Sequence, residues 1–344
     1  MNSNLSFAKQ NLYVVIMAGG SGTRLWPKSR IKKPKHLHAL INRDSMIKNT
    51  VKRLLPMVAK SNIYLATNKE QAKEIAKELP GFKKNLIIEP AMRNTGPSVA
   101  WASSYLKNKA EVIAFLPADH YIGKEEQFRK TLKHAFKVAR KNYLTLIGIR
   151  PTDADTGLGY IESGAKIDAK AYRVKRFVEK PDLATAKKYL ASGKFFWNGG
   201  MFIAKPSVLL DLFEKHAPVI LKHLKKNYDK VTNISFDYAI AEKAENVAVV
   251  PGDFGWSDIG NWGKLLKMLS KKDQDNVVVG CQHYGVETTG SLIHGTERLV
   301  ATVGLKDIIV VDTPDVVLVC HKTRAQEVRS IVEKLKSKGK IKYL

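Results

Sequence analysis

The chain has 344 residues, 44% of them hydrophobic and 26% charged, and its 58 Lys+Arg against 32 Asp+Glu give a net charge of +26. This composition excludes a disordered or fibrous chain, and the lack of any uninterrupted apolar run of about 18 residues argues against a helical membrane span. The charge favours anionic partners without choosing among nucleic acid, phosphorylated metabolites and anionic membrane.

Met1 to Gln10 is polar. The apolar run Leu12–Ala18 leads into glycines without a cleavage-site pattern, so it reads as a strand, not a signal peptide. A helix is predicted over Ser45–Leu55, a strand over Ile63–Thr67, a helix over Lys69–Leu79 and a strand over Leu86–Glu89. Ser98–Lys107 follows as a helix, Val112–Leu116 as a strand, Glu125–Lys141 as a helix and Leu144–Ile149 as a strand. Continuous apolar strands separated by helices predict a mostly parallel sheet covered on both faces, a doubly wound Rossmann-like α/β domain. Ligands bind outside the carboxyl ends of such strands, so the loops there are where chemistry is sought.

Beyond residue 150 the alternation loosens. Tyr160–Glu162 and Arg173–Glu179 read as paired strands, Asp182 as the N-cap of a helix over Leu183–Ala191, and Phe202–Ala204 as a strand before a helix from Pro206 toward His216. Asn276–Cys320 is rich in Val, Ile, Thr and Gly with almost no helical period, and Thr323–Lys338 reads as a closing basic helix. The expected division is 1–270 and 271–344. Lys124–Lys141, Leu221–Lys230 and Val332–Lys342 read as helices with solvated basic faces, and no aromatics are interleaved as a single-strand binding platform would require. Cys281 and Cys320, both in apolar, strand-like segments, form no CxxC pair and read as reduced core thiols of a cytoplasmic protein.

The strongest motif follows the first strand: Ala18-Gly19-Gly20-Ser21-Gly22-Thr23-Arg24. Its glycines allow backbone N–H groups to approach a phosphate chain. It is neither a P-loop, since no Gly-Lys-Ser/Thr ends it, nor a dinucleotide fingerprint, since the third glycine is misplaced and Trp26-Pro27 interrupts a helix. Arg24 and then Pro34-Lys35 add a forked and a point cation suited to a triphosphate.

Gly19 to Pro27 with Pro34-Lys35 resembles the signature of the sugar-1-phosphate nucleotidyltransferases, and the Leu25-Trp26-Pro27 form resembles their mannose-1-phosphate guanylyltransferase branch. The resemblance runs from residue 12 to 344 and is strongest up to residue 262. It implies that GTP and mannose 1-phosphate are the substrates, that Ala18 to Arg24 hold the nucleotide phosphates, and that Arg24 and Lys35 stabilise charge at the α-phosphorus. Asp119, closing the apolar strand, and Asp258, in Gly255 to Trp262, match the family's two Mg²⁺ ligands. Glu89-Pro90 with Arg93-Asn94-Thr95 matches the segment near the base. A Glu or a backbone carbonyl there suits guanine N1 and N2, and Asn94 or Thr95 also suits a helix cap. Gly159, Glu179, Lys180, Asn198 and Asp237 match the sugar-phosphate side, with Lys180 on the sugar phosphate and Asp237 on the sugar or capping a helix.

The chain departs from the pattern at Lys28, His36 and Gly199. Its tail resembles the short left-handed β-helix piece of single-function relatives and is expected to support a homodimer. The chain is expected to end before the cupin-like isomerase domain of bifunctional relatives. Alternatives are another nucleotide–sugar pair such as UTP or dTTP with glucose 1-phosphate, a catalytically silent regulatory relative, or a nucleic-acid binder; no specific nucleic acid and no membrane is the expected partner.

Overall fold

The computed structural model describes residues 12–20 and 22–344. The strands in chain order are β1 (Leu12–Met17), β2 (Ile63–Asn68), β3 (Leu86–Glu89), β4 (Val112–Pro117), β5 (Tyr121–Ile122), β6 (Leu144–Ile149), β7 (Tyr160–Asp168), β8 (Ala171–Val178), β9 (Phe195–Ala204), β10 (Val247–Gly252) and β11 (Trp256–Ser257). The tail adds β12 (Val277–Val279), β13 (His283–Val286), β14 (Leu292–His294), β15 (Val300–Val303), β16 (Ile308–Asp312) and β17 (Val317–His321). The helices are α1 (Met46–Leu54), α2 (Lys69–Glu78), α3 (Thr95–Leu106), α4 (Glu125–Ala139), α5 (Leu183–Ser192), α6 (Pro206–His216), α7 (Pro218–His223), α8 (Trp262–Leu269) and α9 (Val328–Ser337).

The chain packs as two compact units. The first holds residues 12–19, 50–118 and 122–256 of the described chain; the second holds residues 20–49, 119–121 and 257–344. In the first, nine strands form one mixed sheet in the order β3-β2-β1-β4-β9-β6-β10-β8-β7. β1 lies parallel to β2 and β4, and β6 parallel to β10, whereas β9 runs antiparallel between β4 and β6. β1, β4 and β6 are almost wholly buried, which is why they read as unbroken apolar runs. The mixed α/β expectation is met, and Val15, Phe115, Phe202 and Phe213 sit in this unit's core.

Three departures have local causes. β9 is ten residues long and starts at Phe195, well before the strand expected at Phe202–Ala204. Gly200 takes φ +64° and the register with β6 shifts between Leu146 and Gly148, so the strand continues through an irregularity. α3 starts at Thr95, ahead of Ser98, because Asn94 caps it and Pro97 is tolerated in the first turn. The basic stretch 221–230 is no single helix: α7 stops at His223 and a 3-10 turn covers Tyr228–Lys230. Lys222, Lys225 and Lys226 repel at helical spacing, and Tyr228 is turned inward onto Glu89.

In the second unit β12, β14 and β16 stack in parallel, β13 pairs β15 in parallel, and β17 returns antiparallel on β16. These repeated parallel rungs make the β-helix-like piece. Cys320 lies on β17, whereas Cys281 falls in a bend after β12, outside any strand. The closing segment begins as a 3-10 turn over Lys322–Glu327, becomes α9, and stops where Gly339 takes φ +66°. The core joins Leu25 and Trp26 to Trp262, Leu292, Val311 and Val328. Trp262 is fully buried and its indole donates to the Trp26 carbonyl at 2.9 Å, while the Trp26 indole donates to the Tyr343 carbonyl at 2.7 Å. No helix among the described residues is long and apolar enough to cross a membrane.

Replacing Trp262 with Phe keeps an aromatic ring but orphans the Trp26 carbonyl. The expected cost is about 1–3 kcal/mol in urea unfolding; a loss below about 0.5 kcal/mol would show that this bond does not secure the loop.

Candidate active site

The second unit gathers the phosphate-side residues. Gly22 takes φ +63°, and a Cβ there would lie 2.6 Å from Lys35 Cβ, so both conformation and space require glycine. Thr23-Arg24-Leu25 then makes a 3-10 turn, and Lys35 opens another. The Lys35 side chain is only 6% exposed. Its ammonium donates to Asp119 Oδ2 at 2.8 Å and to the Asp258 carbonyl at 2.5 Å. Burial raises the Asp119 carboxyl, but the Lys35 ammonium, with smaller contributions from His120 and His36, outweighs it and holds the group at about 2. Asp119 is therefore an anion at neutral pH. His36 goes the other way: burial pushes it down to about 4, so its ring is neutral, and among the described residues its Nε2 has no hydrogen-bond partner.

Asp258 is oriented by its own surroundings. Lys264 Nζ donates to Asp258 Oδ1 at 3.0 Å. The next residue, Ile259, is fully buried at φ +41°, a region that β-branched residues avoid. Packing of Ile259 in the apolar core of this unit sustains that backbone, which turns the Asp258 carbonyl onto Lys35. Thr23, Arg24, Lys35, Asp119, Asp258 and Arg329 line one cavity of about 260 Å³. Arg24 makes no ion pair among the described residues, so its guanidinium is available to an anion. Arg329, from α9, pairs with Glu333 at 2.9 Å. Sequence reasoning missed Arg329 and Lys264. Arg329 is one of many cations in a basic tail, and no local pattern marks it.

The remaining predicted residues lie in the first unit, apart from Gly20, which belongs to the second, and Ser21, which lies outside the described residues. Ala18 is held at both ends: its N–H donates to the Ala66 carbonyl at 2.8 Å, and its carbonyl accepts from Thr67 Oγ1 at 2.8 Å. Gly19 follows, with open space where a Cβ would stand. Glu89 is buried, and its two oxygens accept from Ser98 Oγ at 2.7 Å and Tyr228 OH at 3.0 Å. Burial pushes this carboxyl up, against those two hydrogen bonds. Asn94, at φ +70°, caps α3 by accepting from the Thr95 N–H at 2.8 Å. Thr95 Oγ1 accepts from the Phe236 N–H at 2.8 Å, and Arg93 Nη2 donates to the Asp229 carbonyl at 3.0 Å.

Gly159, Glu179, Asn198 and Asp237 form one cluster. The Asn198 N–H donates to the Gly159 carbonyl at 2.7 Å, and its amide donates to Asp237 Oδ1 at 2.7 Å. A Cβ on Gly159 would stand 2.5 Å from Glu179 Oε2, so any larger residue would displace that carboxylate. Lys180, at φ +49°, ion-pairs with Glu179 and leaves its own side chain half exposed. Asp237 opens a π-helical turn, Asp237–Ala241, a geometry frequent at functional sites. Burial, reinforced by the Glu179 carboxylate, pushes Asp237 up to about 6.

The second unit thus sets opposed charges around a cavity of about 260 Å³. Residues 13–275 match the nucleotidyl transferase family, and residues 281–335 match the MannoseP isomerase/GMP-like beta-helix domain. The chain belongs to the nucleotidyl transferase family. It is 35% identical over 360 residues to a mannose-1-phosphate guanylyltransferase of Escherichia coli K12, covering 97% of this chain and 75% of that one. It is 37% identical over 355 residues to the Salmonella montevideo mannose-1-phosphate guanylyltransferase, covering 96% and 75%. A Thermus thermophilus protein described as a mannose-1-phosphate geranyltransferase superposes with a TM-score of 0.89 at 35% identity, covering 95% of this chain and all of that one.

The raised Asp237 carboxyl makes a stability prediction. Its folded value of about 6 exceeds the ordinary 3.8, so its contribution is fully present below about 4 and is lost as pH rises to about 6. Asp237→Asn cannot ionise. Its melting temperature relative to the parent should therefore climb between pH 4 and pH 6 and stay level above; a difference independent of pH would contradict the shift.

Proposed function

We propose that the chain transfers GMP from GTP to mannose 1-phosphate, giving GDP-mannose and pyrophosphate. The observation that carries this reading is Lys35, buried between the Asp119 carboxylate and the Asp258 carbonyl in a cavity shared with Arg24 and Arg329. An oxygen of the sugar phosphate attacks the α-phosphorus of GTP; the new P–O bond forms as the bond to pyrophosphate breaks. The attacking group is already an anion, so the protein needs no nucleophile of its own. What it must supply is position and charge.

Arg24 and Lys35 oppose the charge of the triphosphate, and Arg329 adds a third cation. Asp119 and Asp258 present two carboxylates in that cavity, the donor set Mg²⁺ takes together with phosphate oxygens and water. One oxygen of each is held by a lysine, so the other is the one left for a metal. Bound Mg²⁺ would supply Lewis-acid neutralisation of the phosphates. Phosphate oxygens of the substrate and water would complete the shell.

Both Glu89 oxygens already accept hydroxyl hydrogen bonds, which favours backbone carbonyls of the Glu89–Thr95 segment as the acceptors for guanine, with Arg93 and the Asn94 cap fixing that segment. Glu179, Asn198 and Asp237 accept from or donate to mannose hydroxyls, and the half-exposed Lys180 pairs with the sugar phosphate. The exposed apolar residues Tyr284, Val286, Val303 and Val319 of the tail support a homodimer, and the free thiols Cys281 and Cys320 fit a reducing cytoplasm.

The direct test is pyrophosphate release with Mg²⁺, crossing each nucleoside triphosphate with mannose 1-phosphate and glucose 1-phosphate. Release should require GTP and mannose 1-phosphate together; release with another pair would overturn the substrate assignment, and silence with every pair would overturn the activity. Lys35→Ala should lower kcat by about 10²–10³, the usual loss for one preorganised electrostatic donor. Asp119→Asn and Asp258→Asn should each raise the Mg²⁺ concentration needed for half-maximal rate; an effect from only one would refute the paired-carboxylate reading.

A further inference from the structure

A second cavity, of about 380 Å³, lies in the first unit and is built from residues the proposed reaction does not use. One wall is α4, whose Lys130, His134 and Lys137 recur at three- and four-residue spacing and share a face. Lys133 also lines it, with Arg150 directly after β6 and Lys170 in the turn between β7 and β8. Its apolar lining includes Phe196, Val250 and Pro251.

The charges here are only partly answered. Glu126 pairs with Lys130 at 2.7 Å, and Asp168 takes His134 Nε2 at 3.0 Å and the Lys170 N–H at 2.8 Å. Among the described residues Lys137, Arg150 and the Lys170 ammonium have no ion-pair partner. Converging like charges repel, and a concave, partly apolar wall focuses their field. Such an arrangement raises the free energy of the empty cavity and lowers it when a compact anion enters. Arg150 follows the carboxyl end of β6, and Val250 and Pro251 lie at the carboxyl end of its parallel neighbour β10, the position at which sheets of this class receive ligands. The volume falls in the range of small-molecule pockets, so a compact ligand fits better than a duplex or a bilayer surface.

We propose that this cavity is a second anion site that binds a small molecule carrying at least two linked phosphates. Arg150 forks onto one phosphate while Lys137 and Lys170 contact the next, and the apolar lining limits the water that competes with them. This goes beyond the transfer reaction and does not depend on it. It also gives part of the +26 charge a task.

The test is calorimetric titration of the full chain at low ionic strength with inorganic tripolyphosphate, and separately with ADP. The parent should show two classes of tripolyphosphate site. Lys137→Ala/Arg150→Ala/Lys170→Ala should lose one class or weaken it by at least about tenfold, while keeping the parent melting temperature. Arg24→Ala/Lys35→Ala should lose the other. Arg150→Glu alone should abolish the same class as the triple variant, which guards against a folding artefact. Tighter binding of ADP than of tripolyphosphate would assign a nucleotide, and the reverse order an inorganic polyanion. A single class of sites removed by Arg24→Ala/Lys35→Ala, or a triple variant that binds like the parent, would overturn the proposal. So would random-sequence duplex DNA binding that depends on Lys137, Arg150 and Lys170 in a chain showing no saturable tripolyphosphate site there.

Discussion

A buried ammonium must be paired, and at Lys35 that requirement shapes the phosphate-side cavity. Its charge is answered by the Asp119 carboxylate and by the Asp258 carbonyl, residues 84 and 223 positions away in sequence. Removing any one partner would leave an uncompensated charge in a low-dielectric setting. The strained backbone at Ile259, the glycine at 22 packed on Lys35 Cβ, and the Lys264 hold on Asp258 all serve to keep that arrangement in register. In the proposed reaction Lys35 is held before a triphosphate arrives, so little reorganisation is needed there when charge shifts at the α-phosphorus.

The Gly159–Asp237 cluster follows a different logic. Glu179 is answered by the Lys180 ammonium, whereas burial, reinforced by the Glu179 carboxylate, raises Asp237 to about 6. Asn198, with its backbone N–H on Gly159 and its amide on Asp237, is the hinge of that cluster. Neutral or half-neutral carboxyls can donate as well as accept, which suits a polyhydroxylated substrate.

Much of this was legible in the chain because it is local. An apolar strand followed by Gly19-Gly20-Ser21-Gly22 and a cation, or Asp119 at the end of β4, depends on neighbours within a few residues. What sequence could not reveal depends on distance. The packing of residues 20–49 and 119–121 with the tail leaves no compositional trace. Nor does the arrival of Arg329 in the phosphate cavity, or the closure of Glu89 by Tyr228. The full length of β9 was not legible because Gly199-Gly200 breaks the β-branched pattern, and the strand passes through them by an irregular register. The lysines of α4 read as a solvated face; only the fold brings Lys137 into one cavity with Arg150 and Lys170, all three without ion-pair partners among the described residues.

In the proposed transfer the protein supplies charge and position and forms no covalent intermediate. The stereochemical course at phosphorus decides this, using GTP made chiral at the α-phosphate with sulfur and mannose 1-phosphate as acceptor. A single in-line displacement predicts inversion of configuration in the nucleotide sugar. Retention would require two displacements through a protein-bound nucleotide and would contradict the account.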